Sequence, residues 1–426
     1  MWRGAKWRVG LTAAAAAGAL LTGPPAPAAA DSAELPEYRT APGATTISGS
    51  PSAGGGPLLS PGTHTDALGP GEKKFYTVHL DAGSDAYVSV VLIPAPGTTL
   101  RPERVRLSLS GPDGRDCDTG QTRLADGDSA HPLALLAVRR PTADGGACHR
   151  AGTYRVILDR TAETTDPKAP VFPIELKYMS EPGLKPGARS DSLSTDGSWN
   201  TDPPTPPTAP THDTTGGTGF NDAPALGNGV WHDRLQPGET RFYRVPLTWG
   251  QQLSAAAELP RTLAPAGFYV ADGVRVALNN PARGPVTETT RAYQGTAQTL
   301  TLTTAPVAYT NRLRAANDPA GAMRVAGWYY LQIGLHHRLG EAASAALPLT
   351  LRITVTGDAK AAPPYRGDPV AAGFDIRADP NAAPDATGPG LRRIVGYTGV
   401  GTGSALLLWL GCWWLLARLR AGRPPH

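Results

Sequence analysis

The chain has 426 residues, of which 40% are hydrophobic and 18% are charged, and it contains 50 Gly and 43 Pro. This Gly and Pro content has no G-X-Y period, so it excludes collagen and predicts a chain broken often by turns, in which short strands are favoured over long helices. The small net charge of +4 is accounted for by basic residues near the two ends, namely Arg3, Lys6, Arg8, Arg418, Arg420 and Arg423. The chain between them has no basic excess, so no nucleic-acid partner is expected.

A signal peptide is predicted at the N-terminus. Residues 1–8 are basic, residues 9–23 are apolar and rich in Ala, and Ala28 and Ala30 stand in A-x-A spacing. This order is typical of a secretory signal peptide over residues 1–30 that is cleaved after Ala30. An uncleaved anchor is the alternative, but the apolar run of about 15 residues is short for a bilayer of ~30 Å.

A membrane span is predicted near the C-terminus. Residues 394–417 carry no charge and lie between Arg393 and Arg418. As a helix rising about 1.5 Å per residue they would be ~36 Å long, which is enough to cross a bilayer. A signal peptide followed by one span predicts a single-pass protein of the cell membrane, with an extracellular N-terminal ectodomain and a short cytoplasmic tail at residues 418–426.

One segment of the chain occurs twice. Residues 57–83 and 224–250 align without gaps at a constant offset of 167, and 13 of 27 positions are identical. The densest part is P-G-E-x-x-F-Y-x-V-x-L, which begins at Pro70 and again at Pro237. Shorter matches return later in both copies at growing offsets, which indicates longer loops in the second copy, since loops tolerate insertions better than strands.

Alternating apolar and polar residues, rich in β-branched and aromatic types, predict strands in both copies. They lie at residues 75–80, 87–92, 105–109 and 154–158 of the first copy, and at 242–247, 274–278, 300–303, 330–333 and 349–355 of the second. The predicted fold class is therefore all-β, with two tandem antiparallel, jelly-roll-like β-sandwich modules at residues 44–180 and 220–357, plus one C-terminal transmembrane helix.

The two copies resemble a known family. The P-G-E-x-x-x-Y-x-V-x-L opening, a second strand entered through Gly83 or Gly250, and the late Ala-Gly-x-Tyr strand are similar to the bacterial pre-peptidase C-terminal domain. The resemblance implies a jelly-roll-like β-sandwich of the kind appended to secreted proteases and other exoenzymes, some of which bind polymers or calcium. This chain departs from that context, because its residues indicate no enzyme domain for the modules to accompany.

Two segments have compositions that do not support a core. Residues 181–219 are rich in Ser, Thr, Asp, Pro and Gly, and residues 358–391 are rich in Ala, Pro, Gly and Asp. Such compositions favour extended chain. The first segment is predicted to be a linker that keeps the two cores independent, and the second a stalk that lifts the modules off the membrane.

The cysteines indicate a disulfide in the first module. Cys117 and Cys148 both fall in that module and outside the membrane, where disulfides persist, whereas Cys412 lies in the predicted span. A disulfide between Cys117 and Cys148 is therefore predicted. The alternative is a pair of thiols that bind a metal. It is not favoured, because His149 is the sole neighbouring candidate for a further ligand.

The sequence carries no complete catalytic motif. The sequence has no G-x-S-x-G, and the Gly-Asp-Ser ending at Ser129, with His131 close by, is also ordinary turn composition. His336 and His337 follow a predicted strand, but zinc requires further ligands at fixed spacing, so a solvated strand end is the favoured interpretation. The sequence therefore predicts no catalytic residue and no resident cofactor.

One acidic position recurs in both copies. Asp66 and Asp233 precede the first predicted strand of their modules, where a carboxylate could help bind calcium together with loop carbonyls. An Asx-type turn, in which the Asp bonds its own backbone, is the favoured alternative. The tryptophans Trp231, Trp249 and Trp328 of the second copy could form a binding platform, but filling the core is the favoured role.

These features predict a non-enzymatic bacterial cell-surface protein that binds or scaffolds a partner protein or an envelope polymer through its modules. Three alternatives remain open at this point. The protein could be a membrane-tethered accessory subunit of a secreted peptidase, or an enzyme whose site no motif reveals. The modules could also act as a spacer alone.

Overall fold

The structure, a computed structural model, describes residues 34–141, 148–162, 169–188, 199, 202–314, 318–343 and 345–374. No helix in this part of the chain is long and apolar enough to cross a membrane. The predicted signal peptide at 1–30, the predicted span at 394–417 and the predicted tail at 418–426 lie outside the described residues.

The described chain is built from β-strands. The first module contains β1 (Thr45–Thr46), β2 (Gly62–Leu68), β3 (Lys73–Leu80), β4 (Asp85–Leu92), β5 (Glu103–Ser110), β6 (Asp116–Leu124), β7 (Leu133–Arg139), β8 (Gly152–Ala162) and β9 (Phe172–Glu181). The second module contains β10 (Thr211–Asp213), β11 (Gly229–Leu235), β12 (Thr240–Leu247), β13 (Gln252–Leu259), β14 (Val270–Asn279), β15 (Pro285–Tyr293), β16 (Gln298–Thr303), β17 (Gly327–Leu335) and β18 (Leu347–Thr356). Three short 3₁₀ helices also belong to the second module, at Tyr309–Leu313, Pro319–Ala322 and His337–Glu341.

The two modules have the same topology. The five-stranded sheets have the orders β1-β2-β9-β4-β7 and β10-β11-β18-β13-β16, and the four-stranded sheets have the orders β3-β8-β5-β6 and β12-β17-β14-β15. Strands at equivalent places differ by nine in number, so the duplication seen in the sequence is also present in the order of strands. Both short first strands pair in parallel with the next strand, whereas the central pairs are antiparallel.

Alternation of side chains places the core between the two sheets of each module. In β3, Tyr76 and Val78 are fully buried while Thr77 between them is half-buried. They meet Val90 and Leu176 from the opposite sheet in one apolar cluster. Full burial of such a side chain stabilises the fold by about 1.5–3 kcal/mol. The all-β sandwich expected from the alternation is confirmed.

The outer face of the first module's five-stranded sheet is also covered. Strand β4 is buried along its whole length, although one face of a two-layer sandwich normally meets solvent. Its outer residue Val91 packs with Phe242 and Tyr330 of the second module, and Tyr87 packs near Val325. This contact differs from the expectation of two independent cores, because apolar outer side chains on both modules bury one another.

Parts of the expected linker and stalk belong to the folded unit. Thr211–Asp213 forms β10 beside β11, within the segment predicted to be a linker. Tyr365 and Phe374, in the segment predicted to be a stalk, are nearly fully buried, and the Phe374 ring lies 5.1 Å from the ring of Tyr87. These segments are ordered because β10 pairs with β11 and the aromatic rings of Tyr365 and Phe374 pack into the folded unit. The overall composition of the segments gives no sign of these contacts.

Candidate functional site

A loop of the first module meets the end of a strand of the second. The loop joins β6 to β7 and turns at Gly127, whose φ of +82° favours glycine. His336, which follows β17, places its Nε2 3.2 Å from the Gly127 carbonyl oxygen. The main-chain N–H of His337 donates to Ser129 Oγ at 3.2 Å. The fold therefore brings the Gly127–Ser129 turn of the first module into contact with His336 and His337 of the second, although more than 200 positions separate them in the sequence.

A cavity of about 220 Å³ opens beside this contact, and we name it the inter-module cleft. Its polar lining comes from both modules and includes Asp128, Ser129, His131, Asp272, Arg275 and Glu288. The second-module residues stand on the outer face of the four-stranded sheet, at β14 and β15. Neither module alone would form this cavity.

An ion pair occupies one wall of the cleft. Arg275 NH2 donates to Glu288 Oε2 at 2.6 Å, and its NH1 donates to Gln332 Oε1 at 3.4 Å. Burial alone would raise the pKa of Glu288, but the Arg275 guanidinium outweighs it and lowers that pKa. Glu288 is therefore ionised at neutral pH, and the charge of Arg275 is largely compensated.

The histidines of the cleft are neutral at physiological pH. Burial, together with the charge of Arg275, lowers the pKa of His131 to about 3. Burial is also the main cause that lowers the pKa of His336 and of His337. His131 Nδ1 lies 2.8 Å from the Ser129 carbonyl oxygen, which can only accept, so Nδ1 carries the proton.

The arrangement near Ser129 has part of the geometry of a nucleophile and its base. Ser129 Oγ lies 3.4 Å from His337 Nδ1, which is longer than an ordinary catalytic hydrogen bond. Among the described residues, no group of three or more His, Cys, Asp and Glu side chains is arranged to hold a metal ion. Sequence reasoning could not connect Ser129 with His337, because 208 positions separate them.

The recurring acidic residues lie inside strands. Asp66 is in β2 and Asp233 is in β11, not ahead of the first strand as the sequence suggested. Asp66 Oδ2 accepts from Tyr76 OH at 2.7 Å, and Asp233 Oδ2 accepts from Tyr243 OH at 2.6 Å. Each Asp–Tyr bond connects the two sheets of its module. Calcium binding at these residues stays a prediction.

The hydrogen-bond partners of Asp66 and of Asp233 differ in one respect, which is a lysine in the first module. Lys74 Nζ donates to Asp66 Oδ1 at 2.8 Å. Burial opposes the ionised form, but this bond and others lower the pKa of Asp66. Asp233 keeps bonds from the Gly216 and Arg234 main-chain N–H groups.

The disulfide prediction is confirmed, and the core-filling role is confirmed for Trp231 and Trp249 but not for Trp328. Cys117 and Cys148 form a disulfide with Cα atoms 5.6 Å apart. Trp231 and Trp249 are buried in the core of the second module. Trp328 is half-buried, and the Arg244 guanidinium lies 4.4 Å from its ring centre.

A buried ionic cluster ties the modules together, and we name Asp85, Glu181 and Arg312 the inter-module clamp. Arg312 lies in the 3₁₀ helix Tyr309–Leu313 and donates to Asp85 Oδ2 at 2.7 Å and to Glu181 Oε1 at 2.9 Å. Tyr87 OH and Tyr365 OH donate to the same Glu181 carboxylate. Burial, with the nearby Glu181 charge, raises the pKa of Asp85 to about 6 against the opposing effect of Arg312.

Comparison with known proteins gives low similarity. No protein-family profile matches the chain. A search of curated proteins likewise finds no match. Among solved structures, the pre-peptidase C-terminal domain of a Bacillus anthracis collagenase is 12% identical, with a TM-score of 0.18, over 34% of this chain and 99% of that domain.

Tandem modules are also among the similar structures. The tandem CBM22 domains of Xyn10C from Paenibacillus barcinonensis are 9% identical over 70% of this chain and 92% of theirs, with a TM-score of 0.18. The tandem CBM51 modules of a family 98 glycoside hydrolase from Streptococcus pneumoniae are 9% identical over 69% of this chain and 83% of theirs, with a TM-score of 0.20.

Proposed function

We propose that the protein is a non-enzymatic cell-surface binding or scaffolding protein that engages a partner protein or an envelope polymer through its β-sandwich modules. The observation that carries this proposal is the inter-module cleft, whose polar walls come from both modules. Because the contacts of His336 with Gly127 and of His337 with Ser129 join those walls, the site is formed before a ligand arrives, which lowers the entropic cost of binding.

The proposed location rests on the two ends of the sequence. The signal peptide at 1–30 and the span at 394–417 support a single-pass membrane protein with its modules outside the cell. A reporter that works only in the cytoplasm should be inactive when fused at Gly357 and active when fused after residue 426. Activity at Gly357 would contradict this topology.

Partner capture with a blocked cleft tests the binding proposal. The full-length protein, purified in detergent, should retain a partner from envelope extract. Thr290→Trp places a large ring in the cleft and should abolish retention. Thr299→Trp is the matched control, because Thr299 is exposed on β16 of the other sheet. Equal retention by both variants would show that the cleft is not the binding site.

The contact between Ser129 and His337 favours one alternative, a hydrolase. Against it, Ser129 Oγ accepts the His337 main-chain N–H at a distance similar to that from the ring nitrogen. The purified protein is therefore expected to show no turnover of peptide, ester or glycan substrates. Turnover abolished by Ser129→Ala would establish the alternative, and co-purification with a secreted peptidase would establish an accessory role.

A further inference from the structure

One arginine occupies the same place in both modules. The sequence R-V-R-L at residues 104–107 corresponds to G-V-R-V at residues 273–276, so Arg106 of β5 is equivalent to Arg275 of β14. The valine before each arginine is fully buried in the core of its module. Because side chains alternate along a strand, both arginines stand on the outer face of their four-stranded sheets.

The arginine of the second module is neutralised inside the protein. Arg275 donates to Glu288 at 2.6 Å and to Gln332 at 3.4 Å. Both partners lie opposite Ala277, two residues further along β14, on the neighbouring strands β15 and β17. The charge of Arg275 is therefore largely compensated within its own module.

The first module lacks both of these partners. The residue of β5 that corresponds to Ala277 is Ser108, which pairs with Thr119 of β6 and Ile157 of β8. Neither of these side chains carries a charge, and Thr119 Oγ1 lies 3.1 Å from Ser108 Oγ. The equivalent arginine, Arg106, therefore has no carboxylate or amide in the place where Arg275 finds its own.

Two exposed arginines of β5, Arg104 and Arg106, make no hydrogen bond and no ion pair with any described residue. The Asp159 carboxylate lies opposite Arg106 on β8, but it is paired with Lys73 at 2.8 Å. On the other side, Arg104 stands directly opposite the exposed Arg123 of β6. This part of the outer face therefore carries an excess of positive charge.

The remaining side chains of this face are polar. Thr119, Gln121 and Thr161 are exposed beside the arginines. Among the described residues of β5, β6 and β8, no large apolar side chain is exposed. Interfaces between proteins normally have apolar or aromatic anchors near their centre. The composition of this face therefore suits a hydrated, negatively charged chain better than a protein surface.

We propose that this surface, which we name the arginine face and define by Arg104, Arg106, Thr119, Gln121 and Arg123, binds an acidic polysaccharide through the carboxylates of its sugar units. A guanidinium matches a carboxylate in charge and in geometry, because it can donate two parallel N–H···O bonds. The hydroxyl and amide side chains beside it can bond to sugar hydroxyls. Since none of these residues lines the inter-module cleft, this inference goes beyond the proposed function.

Calorimetric titration of the full-length protein in detergent tests this inference. The probes are hexagalacturonate, which has one carboxylate on each sugar, its methyl ester, which has the same backbone without the charges, and inorganic polyphosphate. Hexagalacturonate should bind, and the ester should bind about tenfold more weakly or not at all. Rising salt should weaken the binding of hexagalacturonate, because charge attraction is screened.

Matched variants locate the site. Arg104→Gln combined with Arg106→Gln should weaken the binding of hexagalacturonate by about tenfold or more. Arg291→Gln is the control, because it removes one exposed arginine from β15 of the second module and should leave binding unchanged. The melting temperature should not fall in any of these variants, since their side chains are exposed.

A further variant tests the same face with both arginines in place. Thr119→Glu puts a carboxylate at the position that Glu288 holds in the second module. The new carboxylate should pair with Arg106, as Glu288 pairs with Arg275, and should weaken the binding of hexagalacturonate. Binding as tight as in the wild type would contradict the role given to Arg106.

The outcomes separate this inference from the proposed function. Equal binding of hexagalacturonate and its ester, equal binding by the double variant and by Arg291→Gln, or no binding of hexagalacturonate would overturn the inference. Tighter binding of polyphosphate would also overturn it, in favour of a phosphate polymer. A partner from envelope extract that is lost with Thr290→Trp but kept by the double variant would leave the proposed function standing in each case.

Discussion

Equivalent loops of the two modules hold different stabilising devices. In the first module, residues 140–151 join β7 to β8 and contain Cys148, which is bonded to Cys117 of β6. In the second module, the longer connection from β16 to β17, residues 304–326, carries Arg312. The first loop is attached to its own module, whereas the second reaches Asp85 of its neighbour.

This difference shows where a duplicated fold is free to change. The paired strands of both copies must fill the same space between two sheets, so their apolar residues keep the same period. A loop can lengthen without disturbing that core. The longer loop of the second copy uses this freedom to place Arg312 against two carboxylates of the first module.

The largest effect is expected from breaking the clamp. Arg312→Ala leaves the Asp85 and Glu181 carboxylates buried without their cation, which should lower the free energy of unfolding by about 3–5 kcal/mol. Chemical denaturation measures this. Arg338→Ala is the control, since Arg338 forms a solvent-exposed pair with Glu341, and its loss should change stability little. If Arg312→Ala and Arg338→Ala lowered the free energy of unfolding equally, the clamp would not be holding the modules together.

Removing the disulfide should have the next largest effect. Replacing both Cys117 and Cys148 by Ala frees a loop closed over a sequence separation of 31. The loss should be about 3 kcal/mol, because the unfolded chain gains conformational entropy. Denaturation of the variant against the oxidised protein measures the loss. Peptide mapping without reductant should find the two cysteines linked, and free thiols at both positions would contradict the structure.

The shared Asp–Tyr bond sharpens the comparison between the modules. Tyr76→Phe and Tyr243→Phe each remove one hydrogen bond to a carboxylate, at an expected cost of about 1.5–3 kcal/mol. The cost should be larger for Tyr243→Phe, because Asp66 keeps the ammonium of Lys74. Thermal unfolding of the two variants measures the difference, and a larger loss for Tyr76→Phe would contradict this ranking.

The smallest expected effect is a pH dependence at the clamp. The folded pKa of Asp85 is about 6, above the unfolded value of about 3.9, so the folded protein binds a proton more tightly between these values. From pH 7 to pH 5 the wild type should therefore gain about 1 kcal/mol of stability relative to Asp85→Asn. Unfolding of both proteins at the two pH values measures this. If the wild type instead lost stability relative to Asp85→Asn between pH 7 and pH 5, the pKa of Asp85 would not be raised in the folded protein.

The sequence by itself determined the local architecture. The period-two pattern and the P-G-E-x-x-F-Y repeat predicted β3, β4, β5 and β8 of the first module and β12, β14, β16, β17 and β18 of the second, because alternation follows directly from the geometry of a half-buried strand. The remaining strands were not predicted, including β9 and β13 inside the five-stranded sheets. In β2, β6 and β11, polar residues such as His64, Gln121 and His232 interrupt the apolar period.

Only the tertiary structure decided how the modules use their surfaces. Ser129 and His337 lie 208 positions apart, and Arg312 lies 227 positions from Asp85. No local pattern records such pairs, because each residue alone has the composition of an ordinary polar loop. Their roles arise when the apolar outer side chains Val91 and Tyr330 bury one another and bring the loops together. The strands follow from the neighbours of each residue along the chain, whereas the cleft and the clamp follow from the packing of one module against the other.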